Sequence, residues 1–273
     1  MLTLMMLLAC SGADKDTTGK DTDGTGEDTD RPGQDTDEPD PEPDAIDDNT
    51  NSTAGDFAYD YLTDGDYVTL VVEIDWVSGN EPEASAVAEL QSVLEELCRK
   101  PGGVEIVLDD EVPPQGSPVW TYEAAEELEL SWRDRYHDAD GGTAVMYFLF
   151  LDGSSEKDTD SGRVLGYAYR GSSLIMFKET MESTGGGLTL SAPIEDTVIV
   201  HEAGHVLGLV DNGIPMVSDH RDEDHGNHDD NDECIMYWSV STDAIVDVLG
   251  LGGGSVDFDD ECRADMIAAG GKE

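Results

Sequence analysis

The run HEAGHVLGL, residues 201–209, decides how the rest of the chain is read. On an α-helix, side chains at i and i+4 lie one above the other on a single face. His201 and His205 can therefore turn two imidazoles toward one cation, with the carboxylate of Glu202 beside them. That arrangement needs a helix, and the flanking residues predict one. Pro193 suits a first turn, and Glu195 and Asp196 follow it where the positive end of the macrodipole favours acids. Ile194, Val198, Ile199, Val200, Val206 and Leu207 offer apolar faces for burial. Gly208 stands three residues after His205, where a helix ends readily in a left-handed residue. A chain that turns there can come back toward the cation with a third donor.

Outward from this helix, periodicity assigns the remaining elements. Val68, Leu70, Val72, Ile74 and Trp76 alternate, as one face of a strand does. Pro82 to Arg99 reads as a helix, with Val87, Leu90, Leu94 and Leu97 at spacings of three and four and Pro101-Gly102-Gly103 as its stop. A strand is expected over 104–108, a helix over 122–136, and short strands over 163–169 and 174–177. The run TAVMYFLFL, 143–151, is apolar throughout and fits a central strand buried on both faces. The run SGRVLGYAY is expected to form an edge strand over a cleft, and Gly185-Gly186-Gly187 a joint before the metal helix. This order predicts an α/β (α+β) fold with a mixed, mostly parallel twisted sheet packed by helices.

The N-terminal part differs in kind. Residues 1–10, MLTLMMLLAC, hold a mostly apolar run shorter than the ~20 residues that a membrane-spanning helix needs. They read as an export signal. Leu7-Leu8-Ala9-Cys10 resembles a bacterial lipobox, although no Lys or Arg precedes the apolar run. The resemblance implies acylation of Cys10 and a lipid-anchored, extracytoplasmic protein on the cell envelope; a secreted protein is the alternative. Residues 11–56 carry 16 acids against Lys15, Lys20 and Arg31, with almost nothing to bury. Such a segment cannot offset its ordering entropy and is expected to be a disordered linker.

From residue 57 to 273 the composition is that of a globular domain, still with 47 acids against 11 bases. A field of that sign disfavours nucleic acid and anionic lipid as partners. A monomer acting on a protein or peptide is expected.

The spacing H-E-x-x-H is the signature of zinc-protease helices, with the two His as ligands and the Glu as general base. Zinc then needs a third protein ligand. His228, Asp211 and His220 are the candidates: imidazole is the commoner donor, and Asp211 sits at the third position of H-E-x-x-H-x-x-G-x-x-[H/D]. The chain resembles the metzincins, zinc endopeptidases with H-E-x-x-H-x-x-G and a downstream Met-turn. His201, Glu202, His205 and Gly208 match, and Cys234-Ile235-Met236-Tyr237 looks like the turn that sets Met236 beneath the metal. The tail is similar to the archaemetzincin pattern at His228, Cys234 and Met236. It departs from it at Asp229, where a Cys belongs, and in the insertion 211–227.

The resemblance implies a zincin-like fold, one Zn2+, and peptide-bond hydrolysis by a water that Glu202 deprotonates. A metal-binding surface lipoprotein of the same fold that no longer cleaves is the rival reading, and an acidic calcium-dependent module a third. His220, His225 and His228 stand among six aspartates, where either a second metal or a solvated acidic loop fits. Of the remaining cysteines, Cys98 with Cys262 is the expected disulfide, leaving Cys234 free, with the other pairings open.

Overall fold

A computed structural model describes residues 49–160, 162–185, 190–249 and 256–273. The expected export signal at 1–10 with Cys10, the acidic run up to residue 48, and Gly186 and Gly187 lie outside the described residues. Among the described residues no helix is long and apolar enough to cross a membrane.

The elements run α1 (Ala58–Leu62), β1 (Tyr67–Val77), α2 (Ala84–Leu97), β2 (Gly103–Val112), β3 (Val119–Trp120), α3 (Tyr122–Trp132), β4 (Gly142–Leu151), β5 (Ser154–Ser155), β6 (Gly166–Ala168), β7 (Ser173–Phe177), α4 (Lys178–Thr184), α5 (Ser191–Val206), α6 (Ile245–Leu249) and α7 (Asp260–Ala268). Five strands form one sheet in the order β2-β1-β4-β7-β6. All neighbours pair in parallel except β6, which is antiparallel to β7 and closes one edge. The fold is thus the expected mixed, mostly parallel sheet packed by helices. The small parallel pair β3–β5 had no periodicity by which to be foreseen, being two residues per strand.

β4 explains its own composition. Met146, Phe148 and Phe150 enter the core shared with α2, α5 and α7. Tyr147, Leu149 and Leu151 enter a second core beneath α3. A strand covered on both faces has no side left for polar residues. β1 alternates as expected, with Leu70, Val72 and Ile74 in the larger core. Its other face is not solvated: Glu73 and Asp75 are fully buried there.

These two carboxylates reshape the sequence around them. The helix expected to reach residue 136 stops at Trp132, and Arg133 is already extended. The backbone N–H groups of Asp134 and Arg135 donate to Glu73 at 2.8 Å each, bonds that a continuing helix would have claimed. Asp75 accepts from the Tyr147 hydroxyl at 2.8 Å and the Asp110 amide at 3.0 Å.

Burial pushes Glu73 up to about 7 and Asp75 to about 6, against the hydrogen bonds that favour their charged forms. Between the unfolded carboxylate range and these values the folded state holds the extra protons. Stability is therefore fully present at low pH and falls as pH rises from about 4 through 7. Asp75→Asn should flatten that slope by roughly 2 kcal/mol across the window, read as melting temperature against pH. An unchanged slope would mean that Asp75 does not titrate there.

Packing begins before the composition changes at residue 57. Asn49 and Ser52 are buried, the first accepting from the Ser172 hydroxyl at 2.7 Å and the second from the Gly171 amide at 2.8 Å. Ser and Asn, weak signals for burial, satisfy polar groups at the β6–β7 turn.

Candidate metal centre

α5 carries the H-E-x-x-H residues and lies among α2, α4 and β6. Its early acids serve tertiary contacts. Glu195 pairs with buried Lys178 at 2.5 Å and accepts the Glu83 amide, and Asp196 accepts from Ser85. Gly204 sits on the buried side, where an added Cβ would lie 2.4 Å from Met236 Sδ. The close fit therefore needs glycine, and Met236, fully buried, packs under the helix between the two histidines. The turn that carries it is closed by the Tyr237 amide donating to Cys234 O at 3.0 Å.

The helix ends at Gly208, whose φ of +81° is the left-handed form expected there. Val210 and Asp211 follow at φ +54° and +58°, costly for residues with a Cβ, the branched valine most of all. The Asn212 amide then donates to His205 O at 3.0 Å, and Asn227 donates to Asn212. This path returns the chain to His228.

His201, His205 and His228 come together, each offering a ligand atom within 4.8 Å of the others. Nε2 of His201 and Nε2 of His205 are 3.2 Å apart, and the ring centroids of the three lie 4.9–5.3 Å from one another. Nδ1 of His201 faces Ile235 O at 2.6 Å and Nδ1 of His228 faces His225 O at 2.8 Å. With protons assigned on those nitrogens, both Nε2 lone pairs turn inward. Burial and the mutual proximity of the rings hold His201 down at about 3 and His205 well below its ordinary value; His228 is lowered too, chiefly by burial. All three are neutral, the form that ligates metal.

Two observations fit a cation here. Nε2 of His228 and Oε1 of Glu202 are buried without a hydrogen-bond partner among the described residues. Two lone pairs facing each other at 3.2 Å repel unless a cation takes both. Nitrogens bound tetrahedrally to zinc lie roughly 3.4 Å apart, given bonds of about 2.0–2.1 Å.

Glu202 is fully surrounded, and burial pushes its carboxyl up to about 8; the Ala168 amide and the charge of Lys157 pull the other way. Gly166 on the edge strand makes room for it, since a Cβ there would meet Glu202 Cγ at 3.1 Å and Ile175 O at 3.0 Å. Glu202, His205, His228, Gly166 and Ala168 line a cavity of about 260 Å³, together with Ala54, Tyr167, Asn212 and Asn227.

The other candidates lie elsewhere. Asp211 is exposed and pairs with Arg221 at 3.2 Å. Both nitrogens of His220 are taken, Nδ1 by Asp229 at 2.7 Å and Nε2 by Asp265 at 2.8 Å. Burial alone would lower His220, but these two carboxylates outweigh it and raise the imidazole's pKa. His225 stacks on Trp238 with centroids 4.3 Å apart and bonds Asp222.

The expected Cys98–Cys262 pairing is not what the structure brings together. Cys262 Sγ faces Cys234 Sγ at 3.8 Å, while Cys98 is a separate buried thiol at the end of α2, pushed up to about 12 by burial. One residue is about 100° around a helix. On α7 it is Arg263 that reaches α2, through Glu96, and Cys262 turns inward.

Gly166, Ile235, Asn212 and Asn227 were not foreseen. The first two act through a missing side chain and a backbone carbonyl, which leave no mark in residue type. The asparagines lie in an insertion with no periodicity to place them.

No protein-family model and no curated protein matches this chain. Among solved structures it is similar to a zinc-dependent peptidase from Methanocorpusculum labreanum, at 17% identity and a TM-score of 0.45, over 71% of this chain and 99% of that one. It is also similar to metalloproteinase-II from Bacteroides fragilis, at 13% identity and a TM-score of 0.39, over 76% of this chain and 56% of that one. Likenesses this distant assign no activity, which has to come from the site itself.

Proposed function

We propose that the chain is a zinc-dependent peptidase that cleaves peptide bonds within polypeptides, with His201, His205 and His228 holding the metal. The observation that carries this is the meeting of three neutral imidazoles with a buried carboxylate whose Oε1 has no hydrogen-bond partner among the described residues, in one cleft. A bound zinc ion supplies Lewis acidity there, making a water acidic near neutrality and polarising a carbonyl.

The chain's own residues do the rest. Glu202 Oε1, buried and facing the cleft without a hydrogen-bond partner among the described residues, is placed to accept a proton from the attacking water and give it to the leaving amine. Ile235 O and His225 O fix the rings of His201 and His228 through Nδ1, as outer partners of metal-binding imidazoles do. β6 is an edge strand, and an extended peptide can add to such an edge by main-chain hydrogen bonds. That would lay its carbonyls past Glu202. Gly166 on that strand leaves the room that Glu202 occupies.

The test is cleavage of a quenched fluorescent peptide library. Activity should vanish with a zinc chelator and return with one equivalent of zinc, not with calcium. Cleavage that survives full removal of metal would overturn the reading.

A further inference from the structure

We infer that Cys234 and Cys262 are joined by a disulfide that straps the Met236 turn to α7. Their sulfurs are 3.8 Å apart, and both residues are fully buried. Sulfurs already in contact need only a small side-chain rotation to reach bonding distance, about 2.05 Å.

The surroundings argue for a covalent bond over a second metal. His220, Asp229, Asp259 and Cys262 have the donor types of a metal site and lie close together. All of them but the thiol already hold strong hydrogen-bond partners. His220 uses both nitrogens on Asp229 and Asp265. Asp229 Oδ1 accepts the Asn231 amide at 2.8 Å, and its Oδ2 takes His220. Asp259 caps α7, accepting the amides of Glu261 and Cys262 on Oδ1 and the Asn231 side chain on Oδ2. A cation would have to displace these bonds one by one. The two thiols remain: Cys262 makes a long contact to Asp229 Oδ2 at 3.4 Å, and Cys234 accepts a weak bond from the Met236 amide at 3.5 Å. Losing the first leaves Asp229 still bonded to His220 and Asn231.

The reaction is a two-electron exchange with a small-molecule disulfide such as oxidised glutathione. One protein thiolate attacks it, forming a mixed disulfide and expelling one glutathione thiolate. The second protein thiolate attacks the mixed disulfide, forming the Cys234–Cys262 bond and expelling the other. The two protein thiols are oxidised, the glutathione disulfide is reduced, and the two protons go to the released thiolates. The step precedes the burial of α7. An exported chain, as the leader at 1–10 is expected to make it, would meet such oxidants.

The strap has a definite target. Ile235 and Met236 follow Cys234, the one orienting His201 and the other lying under Gly204. The Ile235 amide donates to Asp257 O at 2.9 Å, so the bond would reinforce an existing link. With the cysteines 28 positions apart in sequence, closing the loop should shift the unfolding constant by roughly two to three orders of magnitude.

The test is peptide mapping of the full chain, refolded in a glutathione redox buffer, alkylated in denaturant and digested without reductant. The expected result is one linked peptide pair, Cys234 with Cys262, with Cys98 alkylated. Cys234→Ser, Cys262→Ser and the double variant should then share one lowered melting temperature, equal to that of the reduced wild type. Alkylation of both Cys234 and Cys262, a link from either to Cys98, or a second equivalent of zinc released by a thiol reagent would each overturn the inference.

Discussion

Glu202→Gln is expected to keep the metal and lose turnover by roughly 10²–10⁴-fold, the range of a well-placed acid–base group. Glutamine has nearly the same shape, so the space cleared by Gly166 still receives it and the three imidazoles keep their places. What it lacks is a site for a proton. Glu202 Oε1 has no hydrogen-bond partner among the described residues, and the glutamine carbonyl oxygen can still accept the Ala168 amide. The variant should therefore fold as well as the wild type, or better, because a buried carboxyl that resists ionisation is costly to keep. Three readouts separate the outcomes: zinc stoichiometry by atomic absorption, melting temperature, and kcat/KM on the best peptide substrate. Unchanged zinc and unchanged turnover together would remove Glu202 from the chemistry. Lost zinc would make it a ligand instead of a base.

How much of this was legible beforehand follows from where each signal lives. Helix α5 was readable because its apolar residues from Ile194 to Leu207 and the terminal Gly208 all act along one local element. β4 was readable because a strand buried on both faces has an apolar run, and α2 because its stripe has a helical period. The end of α3 was not, since it is set by Glu73, some sixty residues away, capturing two backbone amides. The cysteine partner was missed for a related reason. Cys262 lies on α7, and which way it points depends on the packing of Arg263 against α2. The insertion 211–227 left His228 beside two rivals, Asp211 and His220, because the path from left-handed Val210 and Asp211 through the paired asparagines carries no periodicity.

That insertion sets the second large effect. His228→Ala should lose zinc by more than the ~10–100-fold that removing an outer partner of a metal site costs, and activity with it. The structure separates His228 from its two rivals by what each already holds. Asp211 spends its carboxylate on Arg221 at the surface, and a surface pair of that kind is worth about 0–1 kcal/mol. Asp211→Ala should leave zinc affinity and melting temperature nearly unchanged. His220 has no lone pair to offer, because both nitrogens face carboxylates. His220→Ala would strand Asp229 and Asp265, both fully buried, and so should destabilise the fold strongly while the folded fraction still binds zinc. The three variants thus give three patterns: zinc lost with stability otherwise kept, neither affected, and stability lost with zinc kept. Isothermal titration with zinc beside thermal unfolding of the apoprotein reads all three. Full zinc affinity in His228→Ala would show that the metal takes its third donor from somewhere other than the loop that returns to α5.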